Sequence, residues 1–194
     1  MQSMKPLFIA SALIVAGFVS SNAMAAPVSF AVDPAHTTAQ FVIGHLGVSR
    51  TVGRFNELQG SYQLDSENPA ANSAEFTLQT ASIDSNHQKR DDHLRSPDFL
   101  DVKQFPTLTF KSTSYKGSAD KGVLSGNLTL HGVTKPVSFD VEKVGEGSDP
   151  WGGYRSGFVA KATIQRSEFG VSYFIPGVTD ATEIALFVEG IRQQ

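Results

Sequence analysis

Residues 85–110, SNHQKRDDHLRSPDFLDVKQFPTLTF, contain the side chains of this sequence that are best suited to chemistry. His87, His93, Asp91 and Asp92 lie there among several basic residues. Imidazole and carboxylate groups can bind a metal ion or transfer protons near neutral pH. They can also contact a polar ligand or simply cover a solvated helix, so four interpretations have to be compared.

A metal site is the first interpretation. At roughly 100° per helical residue, His87 and Asp91 lie about 40° apart, whereas His93 lies about 160° from Asp91. One helix therefore cannot direct all three at a single ion, unlike H-E-x-x-H, whose two histidines share a face. Further ligands would have to come from elsewhere in the chain, from His36, His45 or His131. We predict no metal site and no cofactor. His45, at the end of an apolar face, is expected to be a core histidine with satisfied hydrogen bonds.

Catalysis and simple solvation are the second and third interpretations. The sequence has no G-x-S-x-G elbow, no glycine-rich phosphate loop and no cysteine nucleophile. We therefore predict that the protein is not an enzyme, with a lipid-modifying enzyme that uses His87, Asp91 and His93 as the alternative. A solvated helix would pair its charges locally, for example Asp91 with Arg95, at a gain of a few tenths of a kcal/mol.

The elements around this segment are predicted to be strands. Apolar and polar residues alternate in eight stretches, at residues 29–33, 38–47, 74–80, 107–113, 123–132, 136–144, 157–166 and 183–191. Successive strands without helices between them predict an all-β antiparallel barrel or sandwich. The spacing of Ser85 and Gln88 fits a capping box, and Pro97 disfavours helix at Ser96, so we predict one short helix at about 86–95.

A ligand in a barrel is the fourth interpretation, and it explains the 14 phenylalanines. About eight antiparallel strands can close into a barrel that encloses one small ligand. The predicted lumen residues are Phe41, Ile43, Phe76, Leu78, Phe110, Leu128, Phe139 and Phe158. A polar helix at the rim would contact the headgroup of a lipid, and the predicted headgroup residues are His87, Arg90, Asp91, His93 and Arg95. A barrel that is packed shut, in a protein that acts through interactions, is a further alternative.

The N-terminus predicts export. Residues 1–25 combine Lys5, an apolar run of roughly 13 residues and the sequence Ala23-Met24-Ala25, which is typical of a signal peptide. The run is shorter than the ~20 residues that a membrane-spanning helix needs. We expect a periplasmic or secreted protein in which residues 26–194 form a single domain, without stable membrane insertion.

Composition limits the partners. The net charge of −3 and the absence of a basic run argue against a nucleic-acid partner and against a membrane surface held by electrostatics. The chain has no cysteine, so no disulfide can stabilise the fold. A homodimer is left open.

Taken together, these segments resemble the YceI family, the lipocalin-like, polyisoprenoid-binding exported proteins of bacteria. Residues 85–110 are similar to the family segment N-H-x-x-R-D-x-H-L-R-S-x-D-F-L with its following F/Y-P and T-F strand. GRFNELQG (53–60), LTLHGVTKPVSFDV (128–141), DPWGGYRSGF (149–158) and FVEGIRQ (187–193) also fit. The departure from the family pattern is FGVSYFIPGVTD, residues 169–180, whose aromatic residues could reshape the cavity.

The resemblance implies a lipocalin-like, eight-stranded antiparallel β-barrel. Its lumen would take a polyisoprenoid lipid, such as an isoprenoid quinone, its precursor or a polyprenyl phosphate, for sequestration or transport. It also implies no cofactor chemistry and a periplasmic or secreted location. The polar residues of the helix would then serve structure or headgroup contact rather than catalysis.

Overall fold

The computed structural model describes residues 26–194, so the predicted signal peptide at 1–25 lies outside the described residues. The strands are β1 (Val28–Val32), β2 (Thr38–His45), β3 (Ser49–Phe55), β4 (Leu58–Leu64), β5 (Ser73–Gln79), β6 (Ile83–Asp84), β7 (Thr107–Gly117), β8 (Lys121–Leu130), β9 (Val133–Ser148), β10 (Tyr154–Gln165) and β11 (Val178–Arg192). One α-helix, α1 (Gln88–Arg95), and the short 3₁₀ helices Pro69–Ala71, Thr80–Ser82 and Arg166–Phe169 complete the fold.

The eleven strands occupy eight positions around a closed barrel, because three pairs of strands are halves of bent strands. β1 and β2 both pair with β11, at residues 190–192 and 178–187 respectively. In the same way, β4 pairs with β1 and β3 pairs with β2. In the next position, β5 pairs with β4 and β6 pairs with β3. Since β7 to β10 connect β5 to β11 by antiparallel pairing, the sheet closes on itself. The predicted all-β, eight-stranded antiparallel barrel with one short helix is confirmed.

The strand pattern located most of these strands but missed β3, β4 and β6, and it counted β1 and β2 as two positions. Glycines on the inner face explain the two longer omissions. A Cβ on Gly53 would collide with Cζ of Phe41, and one on Gly60 would lie 2.9 Å from Cδ1 of Phe76. These glycines leave room for phenylalanine rings of neighbouring strands, so the apolar alternation of β3 and β4 is interrupted at these positions.

Helix α1 begins two residues later than predicted. Its N-cap is His87, whose Nδ1 accepts a hydrogen bond from the backbone N–H of Arg90 at 3.2 Å. The predicted capping box is wrong, since Ser85 is bound to Asp91 instead. The helix ends at Arg95, before the Ser96-Pro97 sequence, as predicted. Within residues 26–194, no helix is both long and apolar enough to cross a bilayer.

The two ends of the barrel are distinguished by what covers them. The open end carries α1, the β2–β3 turn (residues 46–48) and the loop at residues 170–177. The backbone N–H of Leu46 donates to the carbonyl of Gly177 at 2.7 Å, and the rings of His93 and Tyr173 lie 5.2 Å apart. At the closed end, β1 meets the last residues of β11 over a core of Phe30, Val32, Tyr62 and Val188.

Candidate functional site

A cavity of about 630 Å³ occupies the barrel and reaches the open end. This volume is within the ~300–1,000 Å³ that is usual for small-molecule sites. Seven of the eight predicted lumen residues line it: Phe41, Ile43, Phe76, Leu78, Phe110, Leu128 and Phe139. Phe158 does not. It lines a second cavity of about 70 Å³ towards the closed end, together with Tyr62 and Val188.

Strand register explains why these side chains share the interior. Phe76 lies opposite Phe110 across the β5–β7 pair, and Phe110 lies opposite Leu128 across the β7–β8 pair. On the other side of the barrel, Phe41 lies opposite Ile184. Directly opposite residues point to the same face of a sheet, so one inward residue fixes the direction of the whole row.

Two of the five predicted headgroup residues, Arg90 and His93, line the cavity at the open end. Arg90 donates from Nε to Oγ of Ser85 at 2.7 Å, which holds its guanidinium beside the helix. His93 places Nε2 2.8 Å from Oδ2 of Asp98, and its ring packs edge-on against Phe99 and Tyr173. Both side chains are partly exposed, so each can reach a ligand and solvent.

The other three predicted headgroup residues do not line the cavity; one caps α1 and two attach it to the barrel. His87 caps the helix. Asp91 is buried and accepts hydrogen bonds from the backbone N–H and the hydroxyl of Ser85. Arg95 donates to the carbonyls of Ala81 and Ile83 at 2.8 and 2.7 Å, and its carboxylate partner is Asp92, not the Asp91 of the solvated-helix interpretation. The geometry therefore gives these three residues structural contacts.

Arg166 is a cavity residue that the sequence interpretation missed. It is only 5% exposed and lines the cavity at the end of β10. Its guanidinium donates four hydrogen bonds to carbonyl oxygens, those of Val171, Tyr173, Val178 and Thr179, at 2.8 to 3.0 Å. Burial lowers the pKa of this group, while the nearby Asp180 carboxylate opposes that effect. A cation is thus held in the cavity wall with carbonyl oxygens as its direct partners.

The signal for Arg166 was present in the alternation of β10. Ala160, Ala162 and Ile164 occupy one face of that strand, and Arg166 is the next residue of the same period. A charged residue at a position that is predicted to face the barrel interior indicates a special role. His45 also differs from expectation, because it is exposed and lines the cavity at the open end instead of being buried in the core.

A family model described as a YceI-like domain matches residues 30–190. The chain belongs to the YceI family. A UPF0312 protein of Pseudomonas aeruginosa is 45% identical over 190 residues, which cover 98% of this chain and 100% of that protein. The resemblance inferred from the sequence motifs is thereby confirmed.

Solved structures show the same YceI fold. BcnA of Burkholderia cenocepacia has a TM-score of 0.75 at 24% identity, covering 81% of this chain and 98% of BcnA. A polyisoprenoid binding domain from Saccharophagus degradans, implicated in plant cell wall breakdown, has a TM-score of 0.59 at 12% identity, covering 86% of this chain and 99% of that domain. At these identities the two likenesses establish the fold.

The segment that departed from the YceI pattern, residues 169–180, forms part of the cavity wall. Val171, Tyr173, Phe174 and Val178 all line the cavity. Arg166 holds this segment in place, because it donates hydrogen bonds to the carbonyls of three of these lining residues, Val171, Tyr173 and Val178. In this YceI barrel, residues 169–180 therefore form one side of the opening of the cavity.

Proposed function

We propose that this protein binds a polyisoprenoid lipid without transforming it, with the tail in the cavity and the polar head at the open end. The observation that carries the proposal is the apolar cavity of about 630 Å³. Its polar side chains are concentrated at the open end, at His45, Arg90, His93 and Arg166. A long apolar molecule with one polar tip matches this distribution. The name of the Saccharophagus degradans domain, a YceI-like neighbour in fold, supports the same ligand class.

The size of the cavity argues against the closed-barrel alternative. Side chains fill the interior of a packed barrel, whereas here aromatic and aliphatic side chains surround a space on the scale of a ligand. Each buried methylene group contributes about 0.8 kcal/mol, so a chain of several isoprene units binds even after the cost of ordering it.

The open end favours a head that carries electron-rich oxygens. Arg90 and Arg166 line the cavity, and guanidinium groups bind carbonyl and phosphate oxygens well. A quinone or a quinone precursor offers the former, and a polyprenyl phosphate offers the latter. The signal-peptide pattern supports a periplasmic or secreted site of action, where such a lipid would need to be shielded from water.

Native mass spectrometry of the protein purified from its own compartment, followed by solvent extraction, tests the proposal. We expect a stoichiometric adduct whose extracted mass gives the tail length and the head. The same spectra recorded over a range of pH with added prenyl lipid test for chemistry, and a product of altered mass would show that the protein is an enzyme. A protein that is empty and also refuses added prenyl lipids would overturn the proposal.

A variant that fills the cavity sharpens the test. Ile43 lines the cavity and is half-buried, so Ile43→Trp should exclude the lipid while leaving the barrel folded. Val52, on neighbouring β3, is 52% exposed and serves for a matched control, Val52→Trp. We expect lipid occupancy to be lost in the first variant and kept in the second, with similar unfolding temperatures. Equal occupancy in both would place the lipid outside the cavity.

A further inference from the structure

The opening of the cavity is bordered by large apolar side chains that face solvent. Leu46, Val48, Tyr173, Phe174 and Ile175 are 55, 82, 45, 53 and 38% exposed respectively. They lie on two loops that are joined by the hydrogen bond from Leu46 to Gly177. We refer to these five residues as the apolar rim. Scattered apolar residues are normal on a protein surface, but a contiguous group around a ligand opening indicates an interaction site.

Two residues of the rim hold backbone conformations that disfavour their side chains. Leu46 and Phe174 have φ angles of 52° and 60°, in the left-handed region. Leu46 and Gly47 are the central residues of a tight turn that the bond from Val48 N–H to the His45 carbonyl closes at 3.1 Å. Asn, Asp or Gly is usual at the first central position of such a turn. A bulky apolar residue that is 55% exposed there gains little core packing in return, which indicates a benefit outside the folded monomer.

We propose that the apolar rim inserts into the surface of a phospholipid bilayer, where the protein loads or releases its ligand. This inference rests on the proposed lipid-binding function. Tyr173 and Phe174 belong to the rim and also line the cavity, so the rim is continuous with the interior. A lipid tail that moved between a bilayer and the cavity along this path would not have to cross water. A bilayer is the partner that both supplies such a ligand and accepts exposed apolar side chains.

The charges around the rim indicate insertion rather than electrostatic attachment. Arg50 is paired with Glu183 at 2.8 Å, and His93 lies 2.8 Å from Asp98. These pairs neutralise charges beside the rim, the five rim residues are uncharged, and the other arginines of the open end, Arg90 and Arg166, are hydrogen-bonded within the protein to Ser85 and to backbone carbonyls. Docking through the rim should therefore occur on uncharged membranes and depend only weakly on salt, in contrast to a polybasic surface.

Flotation with pure phosphatidylcholine vesicles, at low and at high salt, tests the proposal. The variant L46N/V48T removes two rim side chains that do not line the cavity, and asparagine suits the left-handed turn, so the fold should be kept. The matched control is Trp151→Ala, which removes an aromatic residue that is 80% exposed near the closed end. We expect vesicle binding to fall about tenfold or more in L46N/V48T, to stay unchanged in Trp151→Ala and to be nearly independent of salt.

The transfer of bound lipid to acceptor vesicles separates this inference from the proposed function. L46N/V48T should retain its lipid in solution, by native mass spectrometry, but release it to vesicles more slowly than the wild type. Wild-type protein that carries lipid but ignores vesicles, or vesicle binding that is unchanged in L46N/V48T, would overturn the inference while leaving the function intact. A loss of dimer in L46N/V48T, by sedimentation, would instead assign the rim to a second copy of the chain. A protein without lipid would count against the function itself.

Discussion

The two ends of the barrel differ in how their interior is filled. At the closed end, Phe30 stacks on Tyr62 at 5.1 Å, and Tyr62 packs edge-on against Phe158 at 5.7 Å. The hydroxyl of Tyr62 donates to the Ser156 carbonyl at 2.9 Å, and burial raises the pKa of Tyr62 to about 12. Only about 70 Å³ stays empty there, against about 630 Å³ towards the open end. One end is a protein core, and the other is a ligand-sized space.

The ends also differ in how an arginine is neutralised. At the closed end, Arg155 contacts the carboxylates of Asp33, Asp149 and Glu189 at 2.7, 3.0 and 2.6 Å. At the open end, Arg166 contacts carbonyl oxygens instead. The closed end therefore pairs its arginine with carboxylates, whereas the open end pairs its arginine with neutral backbone carbonyls.

Three residues near Arg155 have the spacing of metal ligands, but the contacts of Arg155 explain why they lie together. Asp33, His36 and Glu189 offer ligand atoms that all lie within 4.8 Å of one another. Nη1 of Arg155 already lies 2.7 Å from Asp33 and 2.6 Å from Glu189. Because the guanidinium takes the position between these carboxylates, the group is better explained as an ion-pair network that closes the barrel.

The largest effect that separates the two ends should come from phenylalanine truncation. Phe30 is 2% exposed at the closed end, so Phe30→Ala should lower the free energy of unfolding by about 3–5 kcal/mol. Phe174 is 53% exposed at the open end, and Phe174→Ala should change that free energy by less than about 1 kcal/mol. Urea unfolding measures both. Similar losses for the two variants would contradict the division into a core end and a ligand end.

The next effect concerns the arginine of the open end. Arg166→Lys keeps the charge, but a single ammonium group cannot reach all four carbonyls, so we expect a loss of roughly 2–3 kcal/mol in unfolding free energy. Hydrogen exchange should accelerate first in residues 171–179. The control is Arg50→Lys, since Arg50 forms an exposed pair with Glu183. This change should alter the free energy of unfolding by less than about 1 kcal/mol. Unchanged exchange in that loop would show that Arg166 does not fix the opening.

Removing a contact that attaches α1 should cost less unfolding free energy than truncating the closed-end core, but the loss should still be measurable. Asp91→Ala removes the acceptor of two Ser85 hydrogen bonds in a buried position, at a cost of about 1–2 kcal/mol. Asp92→Ala removes an exposed carboxylate 3.3 Å from Arg95, at a cost of a few tenths of a kcal/mol. Thermal unfolding compares them. Equal effects would mean that α1 is held by its surface charges, as in the solvated-helix interpretation.

The sequence was sufficient for the parts of the molecule that follow a regular period. Alternating residues placed Phe41, Phe76 and Phe110 in the lumen, because the period of a strand and the burial of one face are local properties. Helix α1 was found for the same reason, since Pro97 limits the backbone directly.

The rest depended on contacts between distant residues. Position 53 is a glycine because the ring of Phe41, from the neighbouring strand, occupies the space of a side chain there, which no local pattern reveals. His87 acts as the cap of α1 although Ser, Thr, Asp and Asn are the usual residues there. Arg166 is tolerated inside the barrel only because residues 171–179 fold over it and present their carbonyls. Such roles are fixed by the tertiary structure and not by spacing.

The acid sensitivity of the closed end follows from the lowered pKa values of its carboxyl groups. The hydrogen bond from Arg155, and secondarily the one from His36, lowers the pKa of Asp33 from 3.8 to about 2. Between these values the unfolded chain binds more protons than the folded chain. The stabilisation is therefore complete above the unfolded pKa and is lost as the pH falls through the folded value. The pKa of Asp149 is lowered as well, chiefly by the N–H of Gly153, so both carboxylates act in the same direction.

Asp33→Asn tests this effect because its amide does not titrate. Urea midpoints measured between about pH 5 and pH 2 should fall less steeply in the variant than in the wild type. Lipid occupancy should be unaffected, since Asp33 lies at the closed end and does not line the large cavity. If the variant kept the wild-type slope, the acid sensitivity would belong to other carboxylates. If it lost its lipid instead, the two ends of the barrel would be coupled, and a change at the ion-pair network would have to reach the cavity through the strands between them.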